Sequence, residues 1–178
     1  MKDLTKISKF LSLVLRHSPQ TIKIRLDENG WADVDKLIQQ SNIHKMKFDF
    51  ETLEEVVFTN DKQRFSFNDD YTKIRANQGH SVDVNLELEA VKPLPILYHG
   101  TVEKYLDNIK INGLQKMQRQ HVHLSKDLET AIKVGNRRGK AIVLEINALE
   151  MYKDGFEFYL SKNGVCLSNE IPAKYIKF

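Results

Sequence analysis

A single cysteine, Cys166, stands among 178 residues. An internal disulfide is therefore impossible, and no Cys/His spacing suggests a zinc site. The neighbours of Cys166, Val165 and Leu167, are apolar, which favours a buried strand thiol over a nucleophile. Long apolar runs are also missing, and none approaches the roughly 20 residues of a membrane helix. The chain begins Met-Lys-Asp-Leu-Thr-Lys and turns amphipathic without the apolar stretch of a secretory signal, so a cytoplasmic location is expected. Neither a Walker loop nor Gly-x-Gly-x-x-Gly occurs, and no paired-carboxylate signature is present. Charge of one sign is not in large excess: residues 1–92 carry 14 Lys+Arg against 15 Asp+Glu, and residues 93–178 carry 13 against 9. This balance excludes a protein that coats nucleic acid by bulk electrostatics, so any RNA would have to be held by a local arginine cluster.

What is present is an ordinary globular composition, 41% hydrophobic and 29% charged, enough for one large domain or two small ones. Asp3 can cap a helix on which Leu4, Ile7, Phe10, Leu11 and Val14 recur at helical spacing, ending near Arg16-His17-Ser18-Pro19. Ile22, Ile24 and Leu26 alternate as in a strand, before a turn signal at Glu28-Asn29-Gly30. A short helix behind Asp33, another over 50–58, and strands over 64–67 and 71–76 follow. Helices ending in a β-hairpin predict a winged-helix-like lobe over residues 1–88. Residues 81–95, with Pro93 and Pro95, read as a connection containing an edge strand. Beyond it the pattern predicts strands over 94–98, 121–124, 141–146, 156–160, 164–167 and 173–178, with helices over 102–111 and 127–134. That is an α+β lobe over residues 94–178 with a mixed or antiparallel sheet.

The chemistry-bearing residues are arginines and histidines at turns and element ends: Arg16-His17, Arg64, Arg75, His99, Arg119, His121, His123 and Arg137-Arg138. Arginine presents a planar fork of donors that fits phosphate and stays charged at any working pH, so several together make a phosphate site. Taken singly, each is equally an ordinary surface cation. His99-Gly100-Thr101 has two readings. Glycine would let a ligand approach the backbone while His99 and Thr101 bond ribose hydroxyls, or the three form a plain strand-to-helix turn with Thr101 as its cap. His121 and His123 share one strand face, opposite Val122.

Together these segments resemble the RNA 2′-phosphotransferase family. The pieces are Leu11-Ser12, Leu15-Arg16-His17, Asn29-Gly30-Trp31, Asn60-Asp61-Lys62-Gln63-Arg64-Phe65 and Ile74-Arg75-Ala76-Asn77-Gln78-Gly79-His80-Ser81. They continue with Leu97-Tyr98-His99-Gly100-Thr101, His121-Val122-His123-Leu124-Ser125, Val134-Gly135-Asn136-Arg137-Arg138-Gly139 and Asn163-Gly164-Val165. Each is short, but all of them in order along one chain are specific. One departure is Cys166, where the family pattern usually has tryptophan.

The resemblance implies an N-terminal winged-helix RNA lobe and a C-terminal lobe of the ADP-ribosyltransferase type. It implies a catalytic set of Arg16, His17, Arg64 and Arg119. It also implies an NAD⁺ pocket with His99 and His123 in the two lining roles, joined by Gly100, Thr101 and Ser125, with Arg138 on the NAD⁺ phosphates. Val165 falls where related transferases often carry a glutamate, a residue that would repel a phosphate acceptor. Arg75, Gln78 and His80 would bind RNA or shape the cleft. The implied reaction is metal-free and consumes NAD⁺: the RNA 2′-phosphate displaces nicotinamide to give an RNA-2′-phospho-ADP-ribose intermediate. Cyclisation then releases RNA and ADP-ribose 1″,2″-cyclic phosphate. His17 either hydrogen-bonds the phosphate or protonates the departing oxygen. A monomer is expected. Two rivals remain: an ADP-ribosyltransferase acting on nucleic-acid phosphate ends, and a non-catalytic RNA-binding module.

Overall fold

A computed structural model describes residues 3–178. The chain divides into two compact units, Met1–Glu87 and Leu88–Phe178, each with its own hydrophobic core. No helix among the described residues is long and apolar enough to cross a membrane.

The first unit opens with α1 (Leu4–Arg16), whose first turn is capped by the Asp3 carboxylate accepting from the Lys6 N–H. Ile7, Leu11, Val14 and Leu15 form its buried face. A 3₁₀ turn, Pro19–Ile22, follows. The expected strand through Ile22, Ile24 and Leu26 does not form, although Ile22 and Ile24 are buried. Pro19 starts the 3₁₀ turn and Lys23 takes a left-handed conformation (φ 57°), so the two isoleucines reach the core from an irregular segment. The Asp27–Trp31 turn is as expected: Asp27 Oδ1 accepts from Asn29 N and Trp31 N, and Gly30 has φ 82°. Next come β1 (Ala32–Asp33), α2 (Val34–Ile43), capped by Asp33, and α3 (Phe50–Thr59), capped by Asp49. The hairpin of β2 (Phe65–Phe67) and β3 (Lys73–Ala76) closes the unit, with strand order β1-β3-β2, all antiparallel. Residues 81–89 contain no strand, and the connection makes only an isolated bridge from Ala90 to Tyr159. Val84 and Leu86 are nevertheless buried.

The second unit begins with β4 (Leu97–Thr101), three residues later than the alternation suggests. Pro93 and Pro95 lack the N–H that a ladder needs, and pairing starts only beyond them. His99, Gly100 and Thr101 therefore lie inside a strand. The helix expected over 102–111 is split into a 3₁₀ turn, Glu103–Tyr105, and α4 (Leu106–Asn112), which ends at Gly113 (φ 71°). Then follow β5 (Leu114–Gln115), β6 (Val122–Leu124), α5 (Leu128–Gly135), capped by Asp127, and β7 (Ile142–Ile146). A further helix, α6 (Ala148–Lys153), has no counterpart in the sequence expectation. It is capped by Asn147 and buries Ala148 and Met151. The chain ends in β8 (Phe158–Leu160), β9 (Cys166–Ser168), β10 (Glu170–Ile171), a 3₁₀ turn Ala173–Tyr175, and β11 (Ile176–Lys177). Three antiparallel sheets result, ordered β11-β7-β4, β6-β9-β8 and β10-β5. Tyr98 and Ser125 exchange backbone hydrogen bonds of 2.8 and 2.7 Å, pinning the end of β6 beside β4.

Candidate functional site

In the first unit the C-terminus of α1 delivers Arg16 and His17. His17 is the C-cap residue, its backbone N–H on Leu13 O. Arg16 O, one of the terminal carbonyls a helix cannot satisfy itself, accepts from Ser81 N at 2.9 Å and Val82 N at 3.2 Å. The Arg16 guanidinium lies 5.9 Å from the centre of the Phe65 ring. Arg64 precedes that phenylalanine, and its carbonyl accepts from Asn77 N at 2.9 Å. Residues 77–82 therefore form a strap laced to both Arg64 and Arg16. Asn77, itself buried, ties the strap down further: its amide donates to Gln63 O and its Oδ1 accepts from Ser66 Oγ. His17 Nδ1 is 2.9 Å from Ser81 Oγ.

The three residues expected to bind RNA or shape a cleft, Arg75, Gln78 and His80, have internal surroundings. The Arg75 guanidinium stacks 4.4 Å above Trp31, donates to Asn29 O at 3.2 Å and lies 3.9 Å from Glu87. Stacking and hydrogen bonding together hold an arginine flat and oriented. His80 is 1% exposed, and neither ring nitrogen has a hydrogen-bond partner within the protein. Gln78 carries a buried Oε1 in the same condition.

Burial, followed by the nearby Arg16, His17 and Arg75 charges, pushes the His80 pKa down from 6.5 to about 4. The folded protein therefore resists a proton that the unfolded chain accepts at pH 6.5. Stability from this source is complete above pH 6.5, falls as pH drops toward 4, and then levels. The difference is on the order of 3 kcal/mol. Urea denaturation at pH 7, 6, 5 and 4 is expected to show this fall, and His80→Gln to flatten it. A shallower slope persists in the variant, because burial also lowers His99 and His121. The carboxylates of Asp27, Asp70 and Asp127 are held below 3.8, so the stability they add is present through this range and is lost only at lower pH. An equal slope in wild type and variant would refute a neutral His80.

In the second unit His99 projects from β4 and is bonded through Nδ1 to His123 O in β6, 3.0 Å away. A carbonyl only accepts, so Nδ1 carries the hydrogen and Nε2 the lone pair. Burial lowers the His99 pKa, and the Arg138 and Arg119 charges lower it further against the opposing carbonyl bond. His99 is therefore a neutral acceptor beside cations. Arg119 Nη1 lies 3.2 Å from His123 Nδ1. Arginine only donates, so His123 Nδ1 accepts and its ring hydrogen sits on Nε2. Burial first, and then Arg138 and Arg137, lowers the Arg119 pKa. None of these three arginines has a carboxylate ion-pair partner among the described residues. Two positive charges acting on a neutral histidine, with Arg137 acting on Arg119 in turn, can bind an anion beside one hydroxyl-accepting nitrogen. Arg137, which the sequence marks together with Arg138, is given no role on the NAD⁺ phosphates by the resemblance, yet its charge acts on Arg119 as well. His121 turns to the Tyr159 ring, 5.5 Å away.

Gly100 has a packing role that the sequence did not reveal. A Cβ there would stand 1.8 Å from Ala131 O and 2.8 Å from Gly135 N, both in α5. The close approach on that side is made by a helix. Thr101 is buried and does not cap the following turn, whose cap position is Val102 without a side-chain bond. Ser125 contributes its backbone pairing with Tyr98. Val165 closes the β8–β9 turn: its N–H donates to Ser161 Oγ and its carbonyl accepts from Ser161 N. Cys166 is buried, and burial pushes its thiol up to about 11, so it is protonated at neutral pH and not a nucleophile.

Arg16, His17 and Arg64 thus gather in one unit around one strap. Arg119, His99, His123 and Arg138 gather in the other. Among the described residues no group of three or more His, Cys, Asp or Glu side chains could hold a metal ion.

Comparison with known proteins points the same way. The model of the RNA 2′-phosphotransferase, Tpt1 / KptA family, matches residues 2–170. A probable RNA 2′-phosphotransferase of Flavobacterium johnsoniae is 58% identical over 172 residues, 97% of this chain and 94% of that protein. One from Fusobacterium nucleatum is 52% identical over 179 aligned positions, 100% of each chain. One from Burkholderia pseudomallei is 52% identical over 174 residues, 98% of this chain and 95% of that protein.

Proposed function

This chain belongs to the RNA 2′-phosphotransferase family, and from that premise we propose that it removes an internal 2′-phosphate from RNA and consumes NAD⁺ in doing so. The observation that carries the NAD⁺ half is a neutral His99, its Nδ1 held by His123 O, beside the Arg119 and Arg138 charges. A dinucleotide offers the complementary groups: ribose hydroxyls that donate to a lone pair, and a pyrophosphate that needs cations. His99 Nε2 would take a ribose hydroxyl, with Thr101, Ser125 and His123 along the same strands. Arg138 would neutralise the pyrophosphate. NAD⁺ supplies an electrophilic ribose carbon and nicotinamide as leaving group, and the products are nicotinamide, RNA with a free 2′-hydroxyl and ADP-ribose 1″,2″-cyclic phosphate.

The remaining work falls to the chain's own side chains. Arg16, Arg64 and Arg119 clamp the 2′-phosphate and then stabilise the charge on its oxygens as the phosphorus–oxygen bond to RNA breaks. His17 bonds the phosphate or delivers a proton to the departing RNA oxygen. The absence of a carboxylate at Val165 suits an acceptor that is already an anion. On this reading the first unit, three helices and a hairpin with a third strand, is a winged-helix RNA-binding lobe. The second is a lobe of the ADP-ribosyltransferase type.

A short RNA bearing one internal, radiolabelled 2′-phosphate tests the proposal. Label is expected to move into ADP-ribose cyclic phosphate only when NAD⁺ is present. Label remaining on RNA that has gained ADP-ribose would identify a transferase that stops after the first displacement. Label unchanged with folded protein would sink the reading.

A further inference from the structure

α1 ends at Arg16 with His17 as its C-cap, and a helix end by itself leaves the cap side chain free to choose its rotamer. Here the end is held from outside. Two consecutive N–H groups of the strap, Ser81 and Val82, bond the same carbonyl, Arg16 O. That fixes the backbone of residue 81 against the backbone of residue 16. The strap is seated from behind by His80, which is 1% exposed. A Cβ on Gly30 would lie 3.4 Å from His80 Nε2 and 3.6 Å from Val84, so the ring fills the space beside this turn. With both backbones set, Ser81 Oγ falls 2.9 Å from His17 Nδ1, although the residues are 64 apart in sequence.

We propose that Ser81 is a positioning residue for His17: it holds the imidazole in one rotamer and directs Nε2, the ring nitrogen farther from the strap, to the reacting phosphate. The inference rests on the phosphotransferase reading above.

The chemistry of a hydroxyl partner differs from that of a carboxylate. A serine donates to Nδ1 when the neutral ring carries its hydrogen on Nε2, and accepts from Nδ1 when the ring is protonated. It follows a proton on or off the ring by turning one hydrogen, with no heavy atom moving. A carboxylate would neutralise the imidazolium and repel the phosphate. A hydroxyl orients the ring and leaves its charge available to the substrate. The charges that act on His80 within the strap, those of Arg16, His17 and Arg75, are all positive.

Ser81 is exposed and its backbone bonds survive a change of side chain, so Ser81→Ala should fold normally. In full-length protein we expect its kcat to fall about 10-fold to 10²-fold, with KM for NAD⁺ unchanged, as for a group misplaced without being lost. Ser81→Thr, which keeps the hydroxyl, should recover most of the rate. Imidazole NMR spectra should show His17 held in a single rotamer with a hydrogen-bonded Nδ1 in wild type, and a lost Nδ1 bond with rotamer averaging in Ser81→Ala. Wild-type kcat in Ser81→Ala, or an unchanged His17 spectrum, overturns the proposal. The spectra do not depend on turnover. A wild-type protein without phosphotransfer removes the reading above, while loss of the Nδ1 bond and rotamer averaging in the variant still support the hold of Ser81 on His17.

Discussion

Arg119→Ala is expected to lower turnover of a 2′-phosphorylated RNA by about 10²–10³-fold, the usual loss when one preorganised charge donor is removed. The expectation follows from what Arg119 does in its own unit. Its Nη1 meets His123 Nδ1 at 3.2 Å, and the carbonyl of that same His123 receives the His99 Nδ1–H at 3.0 Å. The arginine is thus the charged end of a chain that sets two histidine tautomers. It also belongs to a group of like charges with Arg137 and Arg138. Such a group is unfavourable by itself and becomes favourable when an anion arrives. Removing one member weakens the anion site and relieves repulsion at rest, so the variant should be at least as stable as wild type. Arg119→Lys keeps the charge and loses the fork, and should recover only part of the rate. Single-turnover assays with thermal melts of the same samples decide the matter. Near wild-type turnover in a folded Arg119→Ala protein would remove Arg119 from the phosphate clamp.

Gly100→Ala is expected to destabilise the second unit by about 3 kcal/mol or more, at the upper end of overpacking costs. The added methyl would lie 1.8 Å from Ala131 O, 2.8 Å from the Ala131 carbonyl carbon and 2.8 Å from Gly135 N. These are backbone atoms of α5, so no rotamer change makes room. α5 would have to move off the β4–β7 pair. Gly135 makes the same junction tight from the other side, where a Cβ would meet Ala141 Cβ at 2.8 Å and Thr101 O at 3.1 Å. His99 precedes Gly100 on the strand, so a displaced α5 disturbs the histidine as well as the fold. Urea denaturation monitored by far-ultraviolet circular dichroism gives the comparison. A midpoint within error of wild type would show that α5 can yield without cost.

Much of the local structure was legible because its causes are local. Asp3, Asp33 and Asp127 cap helices with side-chain bonds to N–H groups three residues on, and all three were readable as caps or helix starts. The Asp27–Gly30 turn and the Phe65–Ala76 hairpin likewise arise from neighbours in sequence. Misreadings arose where a distant contact outweighed the local pattern. Ile22 and Ile24 alternate like strand residues yet form no strand, because Pro19 starts a 3₁₀ turn and Lys23 is left-handed (φ 57°), and the core takes both side chains from this irregular segment. Residues 84 and 86 alternate and are buried without joining a sheet. α6 is six residues long, too short for helical periodicity to stand out.

The sequence by itself determined the family, the inventory of arginines and histidines, the absence of disulfides, and the caps and turns that begin and end the elements. Each of these depends on residue identity or on partners a few positions away. Tertiary structure alone decided which arginines stay uncompensated and which, like Arg75 on Trp31, are engaged internally. It also decided that His80 and His99 are neutral, and that Gly100 is required by a helix carbonyl. Those properties depend on burial and on contacts spanning 24 residues for His99 and His123 and 64 for His17 and Ser81. A hydrogen bond or a desolvated charge takes its energy from distance in space, and separation along the chain does not encode that distance until the chain has folded.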